Sequence, residues 1–229
     1  MSHMKPDYLR RALLCLSKQT FLQGLQIIVV DSGAWMKQSR TEEVEKMEKL
    51  YEGSLKVPNI EWIFTGEIPG FAKSVCITSW IINRVHEAGL VRGEYFFCYC
   101  DDDIIYPQYV EKMYKALEEE KHDVVYCWEH GLIEKKDGSV TTLTERNFTD
   151  IKRGEVFDCL MDGLQVMWKT AVMSKMEKPV WNEGLETAMH NDGVFFNKLS
   201  HYVDAFYPVK EYLCENRRTV LSANTPSVE

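Results

Sequence analysis

The chain has no apolar run approaching the roughly 20 residues that a membrane-spanning helix needs. Its first residues carry no secretory signal pattern either. Both absences lead to the expectation of a cytoplasmic protein, or one peripheral to a membrane. Positive charge is also in deficit, with 27 Lys and Arg against 35 Asp and Glu, for a net charge of −8. That balance argues against a nucleic-acid-binding surface, whose footprint would be basic. It leaves room for a nucleotide ligand, since one site needs only local cations or a metal. A cysteine framework is missing too. The seven cysteines (Cys15, Cys76, Cys98, Cys100, Cys127, Cys159 and Cys214) are odd in number and scattered, several of them in apolar segments. This fits reduced, buried thiols better than a disulfide framework. Cys98 and Cys100 would share one strand face, but no second close pair accompanies them, which argues against a zinc site. There are no internal repeats and no low-complexity linker. The 229 residues, 45% of them hydrophobic, suffice for a sizeable core in one or at most two domains.

Among what is present, the stretch from Glu94 to Pro107 stands out. An almost unbroken apolar and aromatic segment runs into Asp101-Asp102-Asp103 and then a proline. The segment reads as a strand buried on both faces. Three adjacent carboxylates at its exit repel one another and are costly to desolvate together. A divalent cation, with a phosphate-bearing ligand completing its shell, is the simplest relief. A solvated acidic turn is the plainer alternative; the position at the end of a buried strand favours the metal.

The other elements follow in order. Leu9, Leu13 and Leu16 are at helical spacing between Pro6 and Lys18, with Arg10, Arg11 and Lys18 largely on the opposite side. Leu25 to Val30 reads as a buried strand ending at Asp31, which is placed either to touch a ligand or to cap the following turn. A charged helix is expected from Arg40 to Tyr51 and a short strand from Ile60 to Phe64. A long helix is expected from Phe71 to Ala88, where Lys73 could reach a phosphate at the helix start or simply be exposed. Helical spacing of Val110, Met113, Tyr114 and Leu117 follows Pro107, then a buried strand from Asp123 to Trp128. Asp137-Gly138 marks a hairpin between Leu132-Ile133 and Val140 to Leu143. Thr144 to Glu155 reads as a polar, mobile excursion. A strand is expected over Gly163 to Trp168, a short helix to Met176, and a loop from Pro179 to Leu185. A helix over Asn191 to Leu199 would bury Val194, Phe195 and Leu199. A last strand spans Ala205 to Val209, and Ser222 to Glu229 reads as a disordered tail. Strand–helix alternation through residue 128 implies a mainly parallel, doubly wound α/β sheet.

Several of these segments, in this order, resemble a known family. They are Tyr8-Leu9-Arg10-Arg11-Ala12-Leu13, Ser17-Lys18-Gln19-Thr20-Phe21, Ile27 to Gly33, Gly93-Glu94-Tyr95, and Asp101 to Asp103 with Pro107. In the carboxyl half they continue with Trp181-Asn182-Glu183-Gly184-Leu185 and Asn191-Asp192-Gly193 leading into Phe195 to Leu199. Together they resemble family 2 glycosyltransferases, inverting enzymes of GT-A fold that use nucleotide-sugar donors. The resemblance covers most of residues 8 to 220. It implies a Rossmann-related, mostly parallel sheet flanked by helices, with residues 5–128 as the nucleotide-sugar half, 129–220 as a smaller mixed acceptor half, and 221–229 as tail.

What the resemblance implies for single residues is specific. Asp31 would contact the donor's base, and Asp101 and Asp103 would match an Asp-X-Asp motif holding Mn²⁺ or Mg²⁺ against the diphosphate. Asp102 would turn toward the ribose or back into the protein. Cys100 stands where some relatives carry an acid, so which two of the three aspartates bind metal stays open. Asp192 would be the general base, with Asn191 replacing the acidic residue that usually precedes it. His190 is a second candidate as base or metal ligand, against the plainer reading of a surface or structural histidine. Trp181 and Glu183 would lie on the acceptor side, although core packing is the commoner use of at least one of Trp181 and Trp168. The donor would be a UDP-, GDP- or dTDP-sugar and the acceptor a glycan or lipid-linked hydroxyl, as in polysaccharide biosynthesis. Acceptor choice would reside in residues 144–191.

One departure concerns the start. Family members begin with a strand ending in a Pro-Thr-Tyr-Asn-like turn, whereas here Met1-Ser2-His3-Met4, which reads as a cloning remnant, and Lys5-Pro6-Asp7 precede the first helix. A strand beside Leu25–Val30 is therefore expected to be missing from the sheet. That departure supports a rival reading, a degenerate domain that binds sugar nucleotide or a protein without catalysis. A nucleotidyltransferase is the other rival, but it needs a Gly-rich, basic activation loop near its amino terminus, and none is visible.

Overall fold

The computed structural model describes residues 6–31, 60–64, 76–135, 138–148, 151–152, 161–184, 186 and 191–219. The expected helix over Arg40 to Tyr51 and the tail from Ser222 lie outside them. Helix α1 (Pro6–Ser17) buries Leu9, Ala12, Leu13 and Leu16, the stripe its spacing announces. Strands β1 (Ile27–Asp31) and β2 (Ile60–Phe64) follow, then helix α2 (Ile77–Glu87) and the short strands β3 (Tyr95–Phe97) and β4 (Ile104–Ile105). Helix α3 (Tyr109–Glu118) buries Tyr109, Val110, Met113 and Leu117. The carboxyl half contains β5 (Val124–Glu134), β6 (Val140–Arg146), β7 (Ile151–Lys152), a 3₁₀ turn (Gly163–Gln165), β8 (Val166–Lys169), α4 (Thr170–Met173), α5 (Asn191–Ser200) and β9 (Ala205–Thr219).

Two sheets result. β1 and β2 form a parallel pair, while the main sheet runs β3-β8-β5-β9-β4, with β6 on β5 and β7 on β9. The main sheet is mixed: β5 and β9 are parallel, and β3–β8, β5–β8, β5–β6, β4–β9 and β7–β9 are antiparallel. β5 is its centre, where Val124, Val125, Tyr126 and Cys127 are all fully buried. α1 and α3 pack on one face around Leu13, Met113, Val125 and Leu213; α5 packs on the other around Trp168, Trp181, Phe195 and Phe196. A third, smaller cluster joins Val30 of β1 to Ile81 and Val85 of α2.

Five sequence expectations change. The main sheet is mixed rather than mostly parallel, because β4, β6, β7 and β8 all join β5 or β9 antiparallel. The aromatic run after Glu94 is a three-residue strand whose residues are half-buried, not the most buried strand of the fold. Among the described residues β3 pairs with β8 alone and β1 with β2 alone, and both line one cavity. The edge position of β3 beside a cavity accompanies its half-exposure. Within the polar stretch from Thr144, the described residues Thr144 to Arg146 complete β6 against β5 and Ile151–Lys152 pair with β9. In α5, Phe196 rather than Val194 is buried with Phe195 and Leu199. Finally Arg11, assigned to the outer side of α1, is half-buried and turned toward β5 and the acidic turn.

Gln26, just before β1, bonds to the segment that leads into β3. Its Oε1 accepts from the N–H of Arg92 at 2.9 Å and its Nε2 donates to the carbonyl of Leu90 at 2.8 Å. The segments leading into β1 and β3 are therefore tied side by side.

Candidate active site

β1 and β3 both border a cavity of about 1060 Å³, a volume at the upper limit of ordinary ligand sites. Its walls include β1, β3 and α2, and Asp102 and Asp103, past the carboxyl end of β3, line it together with Asp162, Asp192, Arg146 and Arg217. The placement follows the general rule for α/β sheets, where ligands bind beyond the carboxyl ends of the strands.

The acidic turn lies between β3 and β4. Asp101 and Asp103 are buried and Asp102 is half-buried. Asp102 and Asp103 line the cavity. The Asp103 N–H donates to the carbonyl of Cys100 at 3.4 Å, closing the turn. Its Oδ1 accepts from the backbone N–H of Arg217 on β9 at 3.0 Å. Burial, then the charges of Asp162, Asp102 and Glu129, push the Asp103 carboxyl well above the usual carboxylate range.

Asp162 is the residue that sequence reasoning missed. It caps the 3₁₀ turn, with Oδ1 accepting from Leu164 N–H at 3.2 Å while its own N–H donates to Gln165 Oε1 at 3.0 Å. Its Oδ2 accepts from Asn216 Nδ2 at 2.6 Å, and Arg146 Nη1 stands 4.0 Å away. The Asp-X-X-Gln spacing of a capping box was the available signal; nothing local ties that cap to Asp103 or Asp192. Behind it, Glu129 is fully buried and paired with Arg146 Nη1 at 3.0 Å. Burial, followed by the charge of Asp162, raises the Glu129 carboxyl, and Arg146 opposes the shift.

Asp192 sits in the first turn of α5 and is half-buried. Its Oδ1 accepts from the N–H of Gly193 at 2.9 Å. Burial, then the nearby Asp162, pushes its carboxyl up to about 6, with the N–H groups of Gly193 and Gly163 pulling the other way. A carboxylate held near neutrality is suited to proton transfer.

The remaining candidates are placed as follows. Asp31 is the last residue of β1; its side chain lies outside the described set, as do Lys73 and His190. Trp181 is buried, stacked on Phe195 at a centroid distance of 3.9 Å, and also forms part of the cavity wall. Trp168 is fully buried in the core. Glu183 accepts from Asn83 Nδ2 at 2.7 Å and approaches Arg84 Nη2 at 3.5 Å, so α2 holds it. The tertiary structure thus brings Asp102, Asp103 and Asp192 to one cavity, joined by Asp162.

Among the described residues, no three His, Cys, Asp or Glu side chains converge as a metal-ligand set. The donor chemistry fits a hard cation all the same, because carboxylate oxygens that raise one another's proton affinity by repulsion are the groups Mn²⁺ or Mg²⁺ would relieve. No helix among the described residues is long and apolar enough to cross a membrane.

No family model and no curated protein matches the chain. Solved structures do. Residues 1–349 of S. aureus TarS in complex with UDP align with a TM-score of 0.59 at 13% identity, covering 95% of this chain and 58% of that one. The same fragment with UDP-GlcNAc gives 0.57 at 15% identity, covering 93% of this chain and 55% of that one. A structure of S. aureus TarS gives 0.59 at 14% identity, covering 93% of this chain and 34% of that one. The chain therefore spans little more than half the length of the TarS fragment it matches. At such identities the likeness establishes architecture: the chain has an α/β, GT-A-like fold.

Proposed function

We propose that the protein is a glycosyltransferase that moves a sugar from a nucleoside-diphosphate sugar to an acceptor hydroxyl, with inversion. The observation that carries the reading is Asp192, half-buried at a helix N-terminus and held at about 6, on the same cavity as the acidic turn. A UDP-sugar is the first donor to test, because the TarS structures contain UDP and UDP-GlcNAc. The acceptor would be a glycan or a lipid-linked hydroxyl.

In this reading Asp192 takes the proton of the attacking hydroxyl as the new glycosidic bond forms, and the nucleoside diphosphate leaves from the opposite face. The cavity wall around Trp181 orients the acceptor and excludes water. Asp31 would contact the base, and Lys73 would contact the phosphates. Asp103, with Asp101 or Asp102, would hold a divalent cation, which supplies charge neutralisation for the departing diphosphate. His190 stays a further candidate for that shell. The experiment is incubation with a panel of nucleotide sugars and Mn²⁺, followed by measurement of nucleoside diphosphate release. Release that Asp192→Asn abolishes is the expected result; no release from any donor overturns the proposal.

One observation favours a second reading, a domain that binds sugar nucleotide or a protein without transfer. Among the described residues, β1 and β3 each have one strand partner and both border the cavity, on the side where the nucleotide half of the site would lie. Calorimetric binding of UDP without turnover of any donor would select it.

A further inference from the structure

The acidic turn is closed into a ring of contacts by side chains that the reading above does not use. Arg11 on α1 donates from Nη2 to the carbonyl of Asp102 at 2.8 Å and from Nη1 to Glu134 Oε2 at 2.8 Å. Glu134, at the end of β5, receives Arg217 Nη1 on the same Oε2 at 3.4 Å. Arg217 returns to the turn through its backbone N–H, which donates to Asp103 Oδ1 at 3.0 Å. Arg217 is itself fixed by Glu215, its Nε to Oε2 at 2.8 Å, and Glu215 Oε1 accepts from Tyr106 just after β4 at 2.7 Å. Helix α1, β5 and β9 thus meet on two consecutive residues of one turn. Arg11 Nε has no hydrogen-bond partner among the described residues, so the two terminal nitrogens make the whole connection.

We propose that Arg11 is a positioning residue for the acidic turn: it fixes the Asp102 carbonyl to Glu134 and, through Glu134 and Arg217, sets the direction of the Asp103 carboxylate into the cavity. The proposal rests on reading this turn as the ligand-binding part of the site. A guanidinium is required because its planar fork serves two acceptors at once, whereas an ammonium on the same stem is a point charge. Lysine at position 11 keeps the attraction to Glu134 but not the fork, so the positive charge alone does not hold the turn.

Amide hydrogen exchange followed by NMR on the ligand-free protein tests this. Arg11→Lys and Arg11→Ala should both speed exchange at the amides of Asp103 and Arg217 about tenfold, the loss of roughly one hydrogen bond to a charged group. Exchange at Val124 to Cys127 in the sheet centre should stay unchanged. Unaltered exchange at Asp103 and Arg217 in Arg11→Ala overturns the proposal. So does an increase spread evenly through β5, which would make Arg11 a general stabiliser. Titration with Mn²⁺ alone in a calorimeter gives the second readout, with Arg11→Lys binding about tenfold more weakly than the wild type. If the wild type itself takes up no Mn²⁺, the cation assignment falls, and the exchange rates still decide the role of Arg11.

Discussion

At the scale of single residues the chemistry concentrates on Asp192, Asp162 and the turn at Asp101 to Asp103. Asp192→Asn should lower kcat about 10²- to 10⁴-fold, the usual contribution of a general base. Donor binding, measured by calorimetry, should persist; an equal loss of binding would make the residue structural. The same carboxyl predicts a pH dependence of stability. Its folded-state value of about 6 exceeds that of an unfolded chain. Between those two values the folded protein binds the extra proton, so stability falls as pH rises through the window. Removing the charge removes that loss. Asp192→Asn should therefore melt above the wild type at pH 8, and the gap should close near pH 4, as followed by circular dichroism at a series of pH values. Transfer activity should rise across the same window as the base deprotonates. Asp192 was legible in the sequence as a candidate base through the resemblance. Its proton affinity was not, because burial and Asp162 both arrive through the fold.

Secondary-structure elements were legible where one face alone is apolar. Leu9, Leu13 and Leu16 announced α1, and Val110, Met113 and Leu117 announced α3. The hairpin was legible in its turn, where Gly138 takes a φ of 80° and its N–H donates to the carbonyl of Lys135 at 3.0 Å. β9 was legible only at its start, because Glu211, Glu215 and Arg217 interrupt any apolar alternation. Those charges are accommodated by partners on other elements, Lys112 for Glu211, Tyr106 for Glu215 and Glu134 for Arg217. The β5–β6–β9 region also carries a buried ion pair, Glu129 with Arg146. Arg146→Met should destabilise the protein by about 3–5 kcal/mol, because it leaves the buried Glu129 carboxylate without its cation. Urea denaturation measures this. Glu129→Gln added to Arg146→Met should recover much of the loss, and a double variant as unstable as the single one would refute the pairing.

For the molecule as a whole, the cavity between the β1–β2 pair and the main sheet is the feature that a ligand would bridge. UDP with Mn²⁺ at 100 times its Kd should stabilise the fold by about 2.7 kcal/mol, as for any ligand that binds only the native state. An unchanged melting temperature in a thermal scan would argue against the nucleotide site. The α/β class, the helices with one apolar stripe, the Asp-Gly hairpin and the acidic run were determined by the sequence alone, since each depends on spacing or on turn chemistry a few residues long. The tertiary structure decided that β3 is a half-exposed strand on a cavity, that β5 is the buried centre, and that Arg11 turns inward. It also decided that the charge of Asp162 acts on both Asp103 and Asp192, and that Glu129 pairs with Arg146. These depend on groups far apart in the chain, whose charges and hydrogen bonds have no local signature and act only once burial has removed the water between them.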